Sequence, residues 1–211
     1  MRDDPRMSNG AILLLGGHST RMGGSKADLV WGERSLASHI ADVLTQTVDG
    51  PVVVVGAPGQ VIPVLPVGVE IATDAVPDQG PLRGLEAGLM AIGDRADAVF
   101  VASVDLPLLN SAFVRALLAA LTDPFDAVVP IADGHRHPLA AAYRTSVLAT
   151  VSALLTEGVR GANALPDRIA SRIVDDQDLL ALPGLIPADL EALFNVNTPE
   201  DLAAARLRFR P

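Results

Sequence analysis

Short, continuous apolar runs alternate along this chain with longer segments whose apolar positions recur at helical spacing. The run Ala11–Leu15 predicts a buried strand. It is followed by Ser35–Val48, where apolar residues at 36, 37, 40, 43, 44 and 48 form one stripe and Ser35 can cap the helix. Val52–Gly56 is a second, β-branched run, and Val61–Gly68 holds two prolines and predicts a loop before a short third strand at Val69–Ala72. Pro81 suits a first helical position, with the periodicity carried by Leu82–Ile92. Ala98–Val104 predicts another buried strand, and Asn110 can cap a helix over Ser111–Leu121. Asp126–Ile131 and, after the Asp133-Gly134 turn, Leu139–Tyr143 predict strands. Thr145–Glu157 predicts a helix ended by Gly158, and Ile169–Val174 a late strand. Thr198-Pro199-Glu200-Asp201 combines a cap, a proline at the first helical position and acids in the first turn, which starts a C-terminal helix.

This alternation predicts a three-layer α/β domain with a mostly parallel, Rossmann-like sheet. Continuous apolar strands agree, because parallel strands are covered on both faces. The chain has 211 residues, which suits one domain over 11–208 after a tail at 1–10. Ligands in such sheets bind beyond the carboxyl ends of the strands, so the informative loops follow residues 15, 72, 104 and 194.

Composition narrows the chemistry. Aromatics make up 3% of the chain and the formal net charge is −9. Base-stacking platforms need several rings, and phosphate-backbone binding needs clustered cations, so a nucleic-acid partner is not expected. With no cysteine there is no thiolate nucleophile, redox pair or zinc knuckle. No stretch approaches the roughly 18 apolar residues of a membrane span, and the N-terminus lacks the pattern of a signal peptide, so a cytoplasmic protein away from membranes is expected.

The loop after the first predicted strand runs Gly16-Gly17-His18-Ser19-Thr20-Arg21-Met22-Gly23-Gly24-Ser25-Lys26. Its four glycines let backbone N–H groups approach a phosphate, and Arg21 and Lys26 supply a guanidinium fork and a point charge. The spacing is neither that of a Walker A loop nor GxGxxG. The plain alternative is a glycine turn with solvated charges. Asp105 ends a predicted strand before Pro107, as a ligand for Mg²⁺ or as a turn-forming acid. Asp74 follows the third predicted strand, either on a ligand hydroxyl or in an Asx turn. Gly80 and Gly84 flank Pro81, where a missing side chain admits either a ligand or close helix–sheet packing. Asn195 and Asn197 alternate in an extended segment and should point to opposite faces. His137 suits either a second substrate or the start of a strand, while His18, His39 and His135 have no metal-like spacing.

The string LLLGGHSTRMGGSKADL resembles the signature L-A-G-G-x-S-x-R-M-G-x-D-K of the nucleotidyltransferase superfamily. Leu15 stands at the motif's Ala and Ser25 at its Asp. Four further segments follow in the same order. Asp74 with Gly80-Pro81-Leu82-Arg83-Gly84 resembles D…G-P-L-x-G, and Ser103-Val104-Asp105-Leu106-Pro107 resembles C-D-x-P. His137-Pro138-Leu139 with Tyr143 resembles H-P-L-x-A-x-Y, and Asn195–Leu202 resembles N-x-N-T-P-E-D-L. Together they resemble the molybdenum cofactor guanylyltransferase family over residues 11–202.

The resemblance implies a nucleotidyltransferase fold and transfer of GMP from GTP to the terminal phosphate of molybdopterin, with or without bound molybdenum, releasing pyrophosphate. It implies that Arg21, Lys26 and Asp105 are catalytic, with both cations on the triphosphate. The nucleotide would be bound by Leu14, Leu15, Gly16, Gly17, Arg21, Lys26, Asp74, Gly80, Gly84, Asp105, Asn195 and Asn197. Mg²⁺ is the implied cofactor, on Asp105 and Asn197; the role of Asn195 is open between nucleotide and loop. Other molybdenum cofactor proteins are possible partners. A CTP-dependent cytidylyltransferase on the same pterin, a sugar-1-phosphate nucleotidyltransferase and a nucleotide-binding accessory protein are the competing expectations.

Overall fold

The computed structural model describes residues 8–16, 26–74 and 80–209. The elements in chain order are β1 (Asn9–Leu14), β2 (Val30–Trp31), β3 (Arg34–Ser35), α1 (Leu36–Thr45), β4 (Val52–Gly56), β5 (Glu70–Thr73) and α2 (Pro81–Ile92). They continue with β6 (Ala98–Ser103), α3 (Ser111–Ala120), β7 (Ala127–Ala132), β8 (His135–Arg136), β9 (Ala140–Arg144), α4 (Leu148–Thr156), β10 (Ser171–Val174), α5 (Asp176–Leu180) and α6 (Pro199–Arg208). The main sheet has the order β10-β7-β9-β6-β1-β4-β5, with β8 added to β7. β9 runs antiparallel to both its neighbours; the other strands of that order share one direction.

Alternation along each buried strand divides the apolar side chains between two layers. Leu13, Leu15, Val54 and Phe100 face α1 and α3, meeting Ile40, Leu44, Phe113 and Leu117. Ile12, Leu14, Val53 and Val101 face α2 and α4, meeting Leu85, Leu89, Val151 and Leu154. Burying each such side chain is worth about 1.5–3 kcal/mol, so both layers are needed. The caps predicted for α1, α3 and α6 form, while Asp175 caps α5 without having been expected. Ser35 Oγ accepts from Ser38 N at 3.1 Å, and Asn110 Oδ1 from Phe113 N at 2.9 Å. Thr198 and Asp201 cap each other reciprocally at the start of α6.

Two differences have simple causes. Asn9 and Gly10, expected in the tail, open β1, because Asn9 pairs with Ala98 and a side chain at Gly10 would press on Pro51 O at 2.8 Å. The segment expected as one helix over 145–157 begins with a 3-10 turn at Thr145–Val147 before α4, and Gly158, at φ 81°, ends it. The β7–β8 hairpin turns through Asp133 (φ 49°) and Gly134 (φ 75°), the doubly left-handed geometry a two-residue loop requires.

The chain leaves β1 towards β4 and β5 on one side, then returns through α2 to β6 on the other. The strand order therefore reverses between β1 and β6, where open α/β sheets place their ligands.

Candidate active site

The ends of β1 and β6 are pinned together. Val104 N donates to Leu14 O at 3.0 Å, and Leu15 N donates to Val55 O at 3.0 Å. Beyond them, Asp105 N donates to Ser103 Oγ at 3.3 Å, and Asp105 O accepts from Val196 N at 2.9 Å. That last bond brings the segment before α6 against the β6 loop. A 3-10 turn at Lys26–Asp28, anchored by buried Ala27, aims Lys26 at the same point. Lys26 Nζ donates to Val196 O at 2.7 Å and Asn197 Oδ1 at 3.1 Å and pairs with Asp105 Oδ1 at 2.8 Å. Two segments far apart in sequence thus place three oxygens around the ammonium of a third.

Asn197 is itself held from α6. Asp201 Oδ2 accepts from Asn197 N at 3.0 Å and Thr198 N at 2.9 Å. The Asn197 N–H, then the Thr198 hydroxyl, hold the Asp201 carboxyl below its ordinary pKa.

Next to Asp105 opens a cavity of about 290 Å³, bordered by Ser103, Asp105, Arg136, His137, Leu139, Asn163 and Asn195, with Pro81 from the start of α2. Its floor is rigid: Ser103 N donates to Leu139 O at 3.0 Å, and the buried Tyr143 hydroxyl donates to Pro138 O at 2.9 Å. Asn195 Nδ2 lies 3.5 Å from His137 Nδ1. Burial holds the His137 pKa below its ordinary value, against a hydrogen bond to the Ala132 carbonyl that raises it, so at neutral pH its ring is a neutral hydrogen-bonding group. The two asparagines separate as their spacing predicts, Asn197 to Lys26 and Asn195 to the cavity.

The remaining expected residues spread along the same sheet edge. Bonds to Val104 and Val55 occupy Leu14 O and Leu15 N, whereas Leu15 O and Gly16 N carry no partner among the described residues. Leu15 turns its side chain into the core, 2% exposed, rather than towards a ligand. Asp74 follows β5, its N–H donating to Gly56 O at 2.9 Å, on the far side of β4 from Asp105. Gly80 precedes α2 at φ 78°, and a side chain there would meet Arg160 O at 2.7 Å. A Cβ at Gly84 would come within 3.3 Å of Leu14 Cδ2, so this glycine packs closely on the end of β1. Gly17 and Arg21 lie outside the described residues.

Sequence reasoning missed Val196, Asp201 and Arg136. A backbone carbonyl has no residue signature, and only the fold shows that Asp201 reaches past its cap to Asn197. Arg136 carries a signal only through its position beside His137-Pro138-Leu139. Among the described residues, no three His, Cys, Asp or Glu side chains cluster to hold a metal by themselves, and no helix is long and apolar enough to cross a membrane.

Comparison with known proteins agrees with this fold. The MobA-like NTP transferase domain family matches residues 11–172. A probable molybdenum cofactor guanylyltransferase of Mycobacterium avium is 36% identical over 201 residues, covering 94% of this chain and 95% of its own. The crystal structure of molybdopterin-guanine dinucleotide biosynthesis protein A from Archaeoglobus fulgidus shares the fold, with a TM-score of 0.75 at 21% identity over 94% of this chain and 97% of that one. A Mycobacterium tuberculosis protein crystallised with manganese shares it with a TM-score of 0.60 at 15% identity, over 94% of this chain and 97% of that one. On these two likenesses in sequence, the chain belongs to the MobA-like NTP transferase family and is a nucleotidyltransferase.

Proposed function

We propose that this enzyme transfers GMP from GTP to the terminal phosphate of molybdopterin, releasing pyrophosphate and forming the guanine dinucleotide. The observation that carries this reading is the placement of Asp105 between two features, the Lys26 cradle at the β1–β6 switch point and the separate cavity. A nucleotide on the first and an acceptor in the second would meet at Asp105. The names of the 36%-identical relatives supply the choice of GTP and molybdopterin.

The attacking oxygen belongs to a phosphate monoester, largely dianionic near neutral pH. It forms a bond to the α-phosphorus as the bond to the β-phosphate bridge breaks, and the electron pair leaves with pyrophosphate. No proton need be removed, so no side chain acts as general base. The work is to bring two anions together in line and to neutralise their charge. Lys26, released from Asp105, supplies a point charge to the triphosphate, and Arg21 is assigned there with it. The Leu15 carbonyl and Gly16 N–H face the base. Asp201 fixes Asn197, and the tie from Val196 to Asp105 keeps the two halves of the site in register.

The donor set suits a hard divalent cation. Asp105 Oδ1 and Asn197 Oδ1 already converge on one positive charge, and every donor is oxygen. We assign Mg²⁺ to Asp105 and Asn197, the residues that would hold it. When bound, it supplies charge stabilisation to the leaving pyrophosphate. We assign the enzyme to the cytoplasm, the compartment of its GTP, with other molybdenum cofactor proteins as candidate partners. Pyrophosphate release, measured with purified molybdopterin and each nucleoside triphosphate, tests the reading: release with GTP alone supports it.

A further inference from the structure

The cavity beside Asp105 has a charge problem. Among its described lining residues it presents one carboxylate, Asp105, and one full cation, Arg136. An acceptor phosphate entering there approaches a negative carboxylate in a chain of formal net charge −9. Lys26 does not relieve this from the cavity side, since its ammonium is turned to Val196 O, Asn197 Oδ1 and Asp105 Oδ1 and lines none of the cavity wall. Arg136 does.

Its position is fixed from two directions. Arg136 belongs to β8, paired with Ile131 of β7. Its Nη1 donates to Asp167 Oδ1 at 2.6 Å. Asp167 closes the 3-10 turn Ala162–Asp167, which also lends Ala162 and Asn163 to the cavity wall. The ion pair therefore ties two walls of the cavity together. A guanidinium has five N–H donors in a planar fork, and Asp167 is the one partner of Arg136 among the described residues. The other donors remain for an oxyanion, which this fork binds bidentately.

We propose that Arg136 is the acceptor-side phosphate ligand, with Asp167 as its positioning residue; this rests on the reading of the cavity as the molybdopterin site. Arg136 then sets affinity for the acceptor and leaves nucleotide binding alone, because the nucleotide lies across Asp105.

Steady-state rates with GTP and purified molybdopterin, and direct binding of the pterin followed by its fluorescence, test this on the full chain. Arg136→Gln should raise both KM and Kd for molybdopterin by about tenfold or more, the scale of a lost charge-assisted bond. KM for GTP should stay within about twofold, and R136K should fall between. Asp167→Asn, which keeps the guanidinium but loosens it, should raise the acceptor KM less than R136Q. Asp167 is exposed and Arg136 is partly so, which keeps the pair's contribution to stability small, so both variants should melt close to the unsubstituted chain. An unchanged acceptor KM in folded R136Q, or equal rises for both substrates, overturns the proposal while leaving the guanylyltransferase reading in place. Failure of the unsubstituted chain to transfer GMP to molybdopterin overturns that reading, and this inference with it.

Discussion

Lys26 Nζ lies 2.8 Å from Asp105 Oδ1, with the lysine side chain 12% exposed and the aspartate 31%. The ammonium thus stands on the two side chains, Asp105 and Asn197, assigned to a divalent cation. A lysine and a metal compete for the same lone pairs, and a triphosphate offers the lysine a stronger anion. Nucleotide binding should therefore draw Lys26 away and open the cation site.

Lys26→Met tests that exchange. A positive neighbour about 4 Å away costs an approaching cation up to about 4 kcal/mol per unit charge at an effective dielectric of 20, less where water screens it. Removing it should tighten nucleotide-free Mn²⁺ binding by about tenfold or more, measured by electron paramagnetic resonance, while GMP transfer falls by orders of magnitude. Equal Mn²⁺ affinity in both chains contradicts the competition.

Asp105→Asn keeps size and turn-forming ability but removes the charge that holds a hard cation. The melting midpoint should shift by no more than the equivalent of about 1–2 kcal/mol, because Asp105 is partly exposed and Lys26 keeps Val196 O and Asn197 as acceptors. Turnover should fall by about two orders of magnitude or more. A lowered midpoint with normal turnover per folded molecule would make Asp105 a structural residue only.

The glycines of α2 separate by crowding. A Cβ at Gly88 would lie 2.6 Å from Ile12 Cγ2, whereas one at Gly84 meets Leu14 Cδ2 at 3.3 Å. Overpacking of the first kind costs about 1–3 kcal/mol, and the alanine's helix preference returns up to about 1. Gly88→Ala should lower the melting midpoint by about 2–6 °C, and Gly84→Ala should change it by less than about 2 °C. Calorimetry of the two variants checks the order.

Stability should fall on mild acidification through His39. Burial, then the charge of Arg34, hold its pKa below the ordinary value, against a hydrogen bond to the Pro107 carbonyl that raises it. Its ring packs between Trp31, 6.0 Å away, and Phe209, 5.3 Å away. The unfolded chain binds this proton more readily, so the contribution is complete above about pH 6.5 and is lost as pH falls through the lower folded value. His39→Gln should narrow the difference in melting midpoint between pH 7.5 and 5.5; the same difference in both chains would contradict the assignment.

Much of this architecture was legible in the residues. Val52–Gly56 and Pro81 at the start of α2 are strong local signals, and Ser35, Asn110 and Thr198 cap the helices that the periodicity predicts. The antiparallel run of β9 was not legible, since Ala140–Arg144 is buried like a parallel strand and only pairing sets its direction. At the site, the motifs named Lys26, Asp105 and Asn197, but not that the Lys26 ammonium joins the other two. That convergence depends on the bond from Val196 to Asp105, a main-chain contact with no sequence trace. Asp74 shows the reverse limit: a motif orders residues along the chain, whereas the sheet sets it across β4 from Asp105.

Purified enzyme with Mg²⁺ and molybdopterin, supplied in turn with GTP, CTP, ATP and UTP, should release pyrophosphate and form a pterin dinucleotide with GTP, with CTP giving at most a small fraction of that rate. Equal rates with CTP and GTP, or no pyrophosphate with GTP when the pterin is present, would contradict the guanylyltransferase reading.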